Sequence, residues 1–326
     1  MLAYLLRRVL QSLLVLLVMS VIVFLGVYAI GNPVDILISP EADQMEREQL
    51  IRQFGLDLPV HEQLGKFLGN ALHGDLGNSF VHNEPAMELV LQRLPATLEL
   101  ALTAMFLAVV LGVPLGVFAG LKPQAKVSRA IMSISIFGFS LPTFLVGMLL
   151  VMLFSVYLGW LPSGGRGMTV KPLGDAEWSI FTMDGLRHMI LPALTLAVYK
   201  LALIIRLARA GTREIAGHDY IKYARALGLR QSRIIGVHVL KNIMIPIATV
   251  IGLEFGSVIA FSVVTESVFS WPGMGKLLLE SILQLDRPVV VAYMMFTVFL
   301  YVAINFVVDL VYALLDPRIN LTRKLT

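Results

Sequence analysis

Cysteine is absent from all 326 residues, which excludes disulfides and thiolate metal sites. Histidine is sparse: His61, His73, His82, His188, His218 and His238 are scattered without metal-ligand spacing, and His61-Glu62 lacks the second histidine of a zinc-protease helix. Charge is scarce as well. Only 15% of residues are charged against 57% hydrophobic, and a mean hydropathy of +0.80 lies far from the balance of a soluble domain. A phosphate-binding loop is also missing. Gly273-Met274-Gly275-Lys276 invites that comparison, but Ser270 stands where the first glycine belongs and Leu277 stands where a magnesium-binding hydroxyl is needed. No nucleophile and base pair occurs at helical spacing, and no internal repeat or low-complexity tract is present. The chain therefore reads as having no catalytic residues, no metal site and no machinery for hydrolysing ATP.

What the chain has in abundance is long apolar runs. Hydrocarbon about 30 Å thick needs about 20 apolar residues per helix. Six windows meet that length, at about 9–30, 98–121, 130–158, 188–208, 243–269 and 289–315. The expected fold is an all-α polytopic membrane protein with six transmembrane helices in a single transmembrane domain over 1–326, and an even number of crossings puts both termini on one side. Lys and Arg decide which side. The two termini, the 122–129 loop and the 206–241 loop hold 16 of them, and the opposite loops hold 9 together with 15 of the 22 acids. By the positive-inside rule both termini are expected in the cytoplasm. This asymmetry accounts for the basic pI of about 9.3, so no nucleic-acid partner is implied. The run after Arg7 and Arg8 exceeds a typical signal core, and Val27-Tyr28-Ala29 is a poor cleavage site, so the first span reads as an uncleaved anchor.

Residues 31–97 form a polar insertion with ten acids against four bases. It is expected outside the cytoplasm. Glu41 to Phe54 has helical character, and Val60 to Leu72 repeats it with Leu64, Phe67, Leu68 and Leu72 on one stripe. Trp271-Pro272-Gly273 reads as an extramembrane turn with an interfacial aromatic.

Polar groups within the spans carry the remaining chemistry. A charge at membrane depth costs at least about 2.5–3.5 kcal/mol on insertion scales and faces protein or water. Glu99 and Glu266 lie near span ends, where a structural role is expected. Glu254 lies nearer the middle of its span. A continuous helix would bring Thr265 to within about 20° of Glu254, with Ser262 close by, on one polar stripe. Asn305 and Asp309 stack at i, i+4 on the sixth span. These five residues are candidates for a translocation pathway, and interhelical hydrogen bonding is the alternative.

The 206–241 loop holds eight Lys and Arg residues and is patterned as helix, turn, helix. Asp219 is an expected N-cap, Tyr220, Tyr223, Ala224 and Leu227 an expected helical face, and Gly228 an expected left-handed terminus. Ser232 would cap the second helix. The residues alone also fit a solvated basic loop. However, the run Asp219-Tyr220-Ile221-Lys222-Tyr223-Ala224-Arg225-Ala226-Leu227-Gly228-Leu229, with His238-Val239-Leu240-Lys241-Asn242 and Ile245-Pro246, resembles the coupling loop of ABC-importer permeases of the dipeptide, oligopeptide and nickel branch. Lys241 stands where the general pattern has proline, a departure associated with the peptide branch. Leu5-Leu6-Arg7-Arg8, His73-Gly74-Asp75-Leu76-Gly77, His188-Met189-Ile190-Leu191-Pro192-Ala193, Thr265 through Gly275 and Asp316-Pro317-Arg318-Ile319 extend the resemblance over most of the chain.

The resemblance implies a type I ABC-importer permease fold in a bacterial inner membrane. It also implies a homologous second permease subunit, two cytoplasmic ATPase subunits that carry ATP and Mg, and an extracytoplasmic substrate-binding protein that does much of the substrate selection. The cargo implied is a dipeptide, oligopeptide, glutathione or nickel chelate. On this reading Asp219, Tyr220, Tyr223, Ala224, Arg225 and Gly228 couple the spans to the ATPase. The rival is a self-contained ion-coupled transporter using Glu254 and Asp309, against which stand the missing inverted repeats and the large basic loop.

Overall fold

The computed structural model describes residues 2–29, 45, 48, 51–52, 57–172 and 174–315, with the backbone course alone for 2–5, 7, 27–29 and 309–315. Among them the helices are α1 (Leu2–Ala29), α2 (Val60–Leu72), α3 (Ala86–Leu121), α4 (Lys126–Ser140) and α5 (Thr143–Leu150), which runs on as a π-helical segment, Val151–Tyr157. Then follow α6 (Met183–Ala216), α7 (Asp219–Ala226), α8 (Gln231–Ala260), α9 (Val263–Val268), α10 (Met274–Leu283) and α11 (Arg287–Leu315). Five helices are long and apolar enough to cross a membrane, and the bent pair α4–α5 makes six if it is taken as one crossing. The expected helix over Glu41–Phe54 lies largely outside the described residues, as does the Asp316–Ile319 motif.

Two compact units divide the chain, one of Met1–Pro95 with Gly273–Thr326 and one of Ala96–Pro272. In the first, α1 packs along α11, and α2 folds back on α1 with Phe24 and Phe67 ring centroids 5.6 Å apart. The expected stripe of α2 is half-buried at Leu64, Phe67 and Leu68, while Leu72 is exposed. The turn after α2 is set by its own residues. Gly74 and Gly77 have positive φ, and the Gly77 N–H donates to Asp75 Oδ1 at 3.0 Å. Buried Asp286 ties the turn down, accepting from the Ser79 hydroxyl and from the Phe80 N–H at 3.1 Å.

The second unit is organised around α6, which packs against α4, α5 and α8. It also lies against α3, where Gly112, Gly116 and Gly120 line the approach. A Cβ at Gly116 would sit 2.6 Å from the Ile205 carbonyl oxygen, so only glycine allows the two backbones this close.

Two expected spans are broken. The third window bends by 110° between α4 and α5 because Pro142 holds Leu141 in extended backbone, φ −85° and ψ 138°, and cannot donate to the helix. The fifth ends at Ala260, and its remainder forms α9. Trp271 is also placed differently from expectation. Its ring is wholly buried, and its indole N–H donates to the Ala96 carbonyl at 2.9 Å, because a Trp with a buried partner for its one donor loses nothing by leaving the interface.

Candidate functional site

The candidate site is the connection between α6 and α8. The apolar window 188–208 understates α6, because burial continues from Ala208, the window's last residue, to Thr212, packed where Gly116 and Gly120 admit them. The helix runs to Ala216, and α8 starts at Gln231, so the expected 206–241 loop contracts to 217–230.

Within that short connection α7 is fixed on one face. Ile221 and Ala224 are buried against Ile234, with Ile215 and Leu229 closing the cluster. Gly228, at φ +76°, ends the helix as expected: its N–H donates to the Arg225 carbonyl and the Leu229 N–H reaches back to Ala224 at 3.2 Å. That pair of bonds satisfies the terminal carbonyls and lays Leu229 onto the cluster.

The opposite face is open. Tyr223 is 67% exposed and Leu227 62%, with Tyr220, Lys222 and Arg225 beside them. Tyr220 is oriented between the His218 ring, 5.6 Å away, and the edge of His238 at 6.5 Å. The expected stripe is therefore split, since Ala224 turns inward with Ile221 while the two tyrosines and Leu227 face out. Both expected caps also differ. His218 and Arg230 occupy the cap positions, Asp219 is the first helical residue and Ser232 lies inside the first turn of α8. The Asp219 carboxylate instead accepts from Lys222 Nζ at 2.8 Å, and that bond, with the ammonium charge, holds its pKa below the ordinary aspartate value.

The polar groups of the spans have specific partners. Glu254 accepts from Lys200 Nζ on α6, which also donates to Ser257 Oγ at 2.9 Å. Because the helix breaks at Phe261, Glu254 shares no continuous stripe with Ser262 and Thr265. Ser262 instead donates to buried Glu266, as does the Thr97 hydroxyl, both at 2.8 Å. The Thr265 hydroxyl is buried with no hydrogen-bond partner among the described residues. Asn305 donates to the Tyr301 carbonyl of its own helix at 2.8 Å, and the side chain of Asp309 lies outside the described residues. Glu99 is structural in the sense expected, anchoring the 159–182 segment: it accepts from Arg166 Nε and Nη2 at 3.0 and 2.8 Å, from the Ser179 hydroxyl and from the Ser179 and Ile180 N–H groups.

Residues 112–321 match the family model for the binding-protein-dependent transport system inner membrane component, and residues 1–101 match the model for its N-terminal membrane component. The chain belongs to this permease family. The permease is 39% identical over 320 residues to the oligopeptide transport system permease protein AppB of Bacillus subtilis, covering 98% of this chain and 99% of the relative. It is also 39% identical to the di/tripeptide transport system permease protein DppB of Pseudomonas aeruginosa, with 89% and 90% covered. To the glutathione transport system permease protein GsiC of Escherichia coli K12 it is 37% identical, with 98% and 99% covered. Among solved structures, the inward-facing MetNI methionine ABC transporter superposes with a TM-score of 0.56 at 18% identity, over 73% of the permease and 98% of that chain, a likeness of fold. Family membership supports an importer permease over a self-contained ion-coupled carrier.

Two cations of the permease, Lys200 and Arg166, complete these polar contacts and differ in how much of their role the sequence carries. Lys200 is a cation at the middle of the apolar 188–208 window, whose only other Lys or Arg is Arg206 near its end, and that position is itself the signal. Arg166 gives none, since nothing local ties it to a carboxylate 67 positions away.

Proposed function

We propose that this chain is the transmembrane subunit through which di- or oligopeptides, or a closely related small solute, enter the cytoplasm. Its motion is driven by two ATPase subunits, one of which docks on α7. The peptide class rests on the named activities of the relatives, and the coupling role rests chiefly on the outward face of Tyr220, Tyr223 and Leu227. An apolar, aromatic face held rigid by a buried cluster and a glycine terminus is an interface waiting for a groove, since a solvated linker needs neither. ATP and Mg belong to those partner subunits, a related permease completes the pathway, and an extracytoplasmic binding protein delivers the solute. Glu254, whose side chain is 30% exposed, is the pathway group the geometry favours among Glu254, Ser262, Thr265, Asn305 and Asp309.

Co-expression with candidate ATPase subunits tests the proposal. The native chain should co-purify with them and support ATP-dependent uptake of labelled tripeptide into vesicles. Tyr223→Ala with Leu227→Ala should lower recovery of the ATPase about tenfold or more, because exposed apolar anchors dominate such interfaces. Full recovery of the ATPase by that double variant would remove α7 from the coupling role.

Orientation is tested separately on this cysteine-free chain. Single cysteines at exposed Ser163 and Gln284 should react with an impermeant thiol reagent applied outside intact cells, and those at exposed Gln124 and Ser232 should react only after permeabilisation. The reverse pattern would place the termini outside.

A further inference from the structure

The Lys200–Glu254 pair has a chemistry beyond holding two helices together. Lys200 is nearly enclosed, with 12% of its side chain exposed, whereas Glu254 keeps 30% open. A carboxylate at this depth is not left facing lipid, so its open edge faces protein or water. On the α4 side of α6, Tyr199 stacks on Phe139 with centroids 4.3 Å apart, and the Arg206 guanidinium lies 4.7 Å from the same ring. Phe139 belongs to the last turn before the break at Leu141 and Pro142. Interrupted backbone within a span is tolerated where it is covered by protein or lines an aqueous cavity.

An enclosed ammonium beside a half-open carboxylate matches a solute carrying one charge of each sign. We propose that Lys200 and Glu254 form the charged subsite that receives the two ends of a zwitterionic peptide during passage, Lys200 taking the carboxylate and Glu254 the ammonium. This inference rests on the peptide reading above. Without solute the two groups neutralise each other, which keeps the subsite closed. A passing peptide exchanges one intramolecular ion pair for two intermolecular ones, so no net charge is stranded in the span.

The test uses the whole complex in proteoliposomes with ATP and binding protein, and trialanine uptake expressed per assembled complex. Lys200→Met should lower that uptake about tenfold or more, the loss of one charge-assisted hydrogen bond, and Lys200→Arg should stay within about threefold of native. The charge-swapped variant Lys200→Glu with Glu254→Lys restores helix pairing but presents each end of the peptide with the wrong sign. It should assemble normally and remain about tenfold down. The inference is overturned if the swap returns uptake per complex to the native level. It is equally overturned if Lys200→Met lowers only the yield of complex. Failure of the native complex to take up trialanine would instead overturn the peptide reading, and the inference with it.

Discussion

A complex carrying Gly228→Val is expected to insert and assemble while losing most of its transport and its substrate-stimulated ATP hydrolysis. At φ +76° the backbone is in the left-handed region, and a Cβ placed there meets nothing within 4 Å. The penalty is therefore backbone strain alone, about 1–3 kcal/mol, and a β-branched residue bears it worst. The chain relieves that strain by unwinding the turn, which releases the Leu229-to-Ala224 bond and with it the alignment of Tyr223 and Leu227. Gly228→Asn should be milder, since asparagine visits this conformation readily. Coupled ATP hydrolysis of Gly228→Val at the native rate would show that the geometry of this turn does not matter to coupling.

Glu99→Ala should produce the largest loss of stability of any single change in the Ala96–Pro272 unit. It leaves the Arg166 guanidinium, 9% exposed, without its carboxylate, and it orphans the Ser179 hydroxyl and the N–H groups of Ser179 and Ile180. Breaking a buried pair from one side costs about 3–5 kcal/mol, enough to reduce the recovered complex severely. Glu99→Gln keeps an acceptor and should lose less. Adding Arg166→Met to Glu99→Ala should recover part of the loss, because the stranded charge goes with it. Thermal unfolding of the purified complex reads all three, and an unchanged midpoint for Glu99→Ala would refute this account of the 159–182 segment.

The sequence announces features that depend on one residue's own constraint. Gly228 is legible because few residues tolerate its conformation, and the spans are legible because hydrocarbon demands length. Pro142 carries its break in the same local way, yet a window that averages hydropathy over 130–158 smooths across it. Features that depend on distant partners are silent. The inward turn of Ala224 becomes visible only once Ile234 closes over it, and the short connection at 217–230 only once Gly116 and Gly120 give α6 a surface to follow past the lipid. The same holds for Glu99, whose charge is predictable but whose four partner groups in the 159–182 segment are not.

At 34 residues α6 is about 51 Å long, against hydrocarbon about 30 Å thick, and Gly116 and Gly120 let it stay against α3 into its final turns. With α8 it forms a crank whose handle is α7. On the coupling role proposed for α7, a push on the handle would pass into both long helices and reach Lys200 and Glu254 as a tilt, with Pro192 in α6 and Pro246 in α8 as the points where the arms can bend. On that proposal the rigidity of the arm would count as much as the grip on its handle.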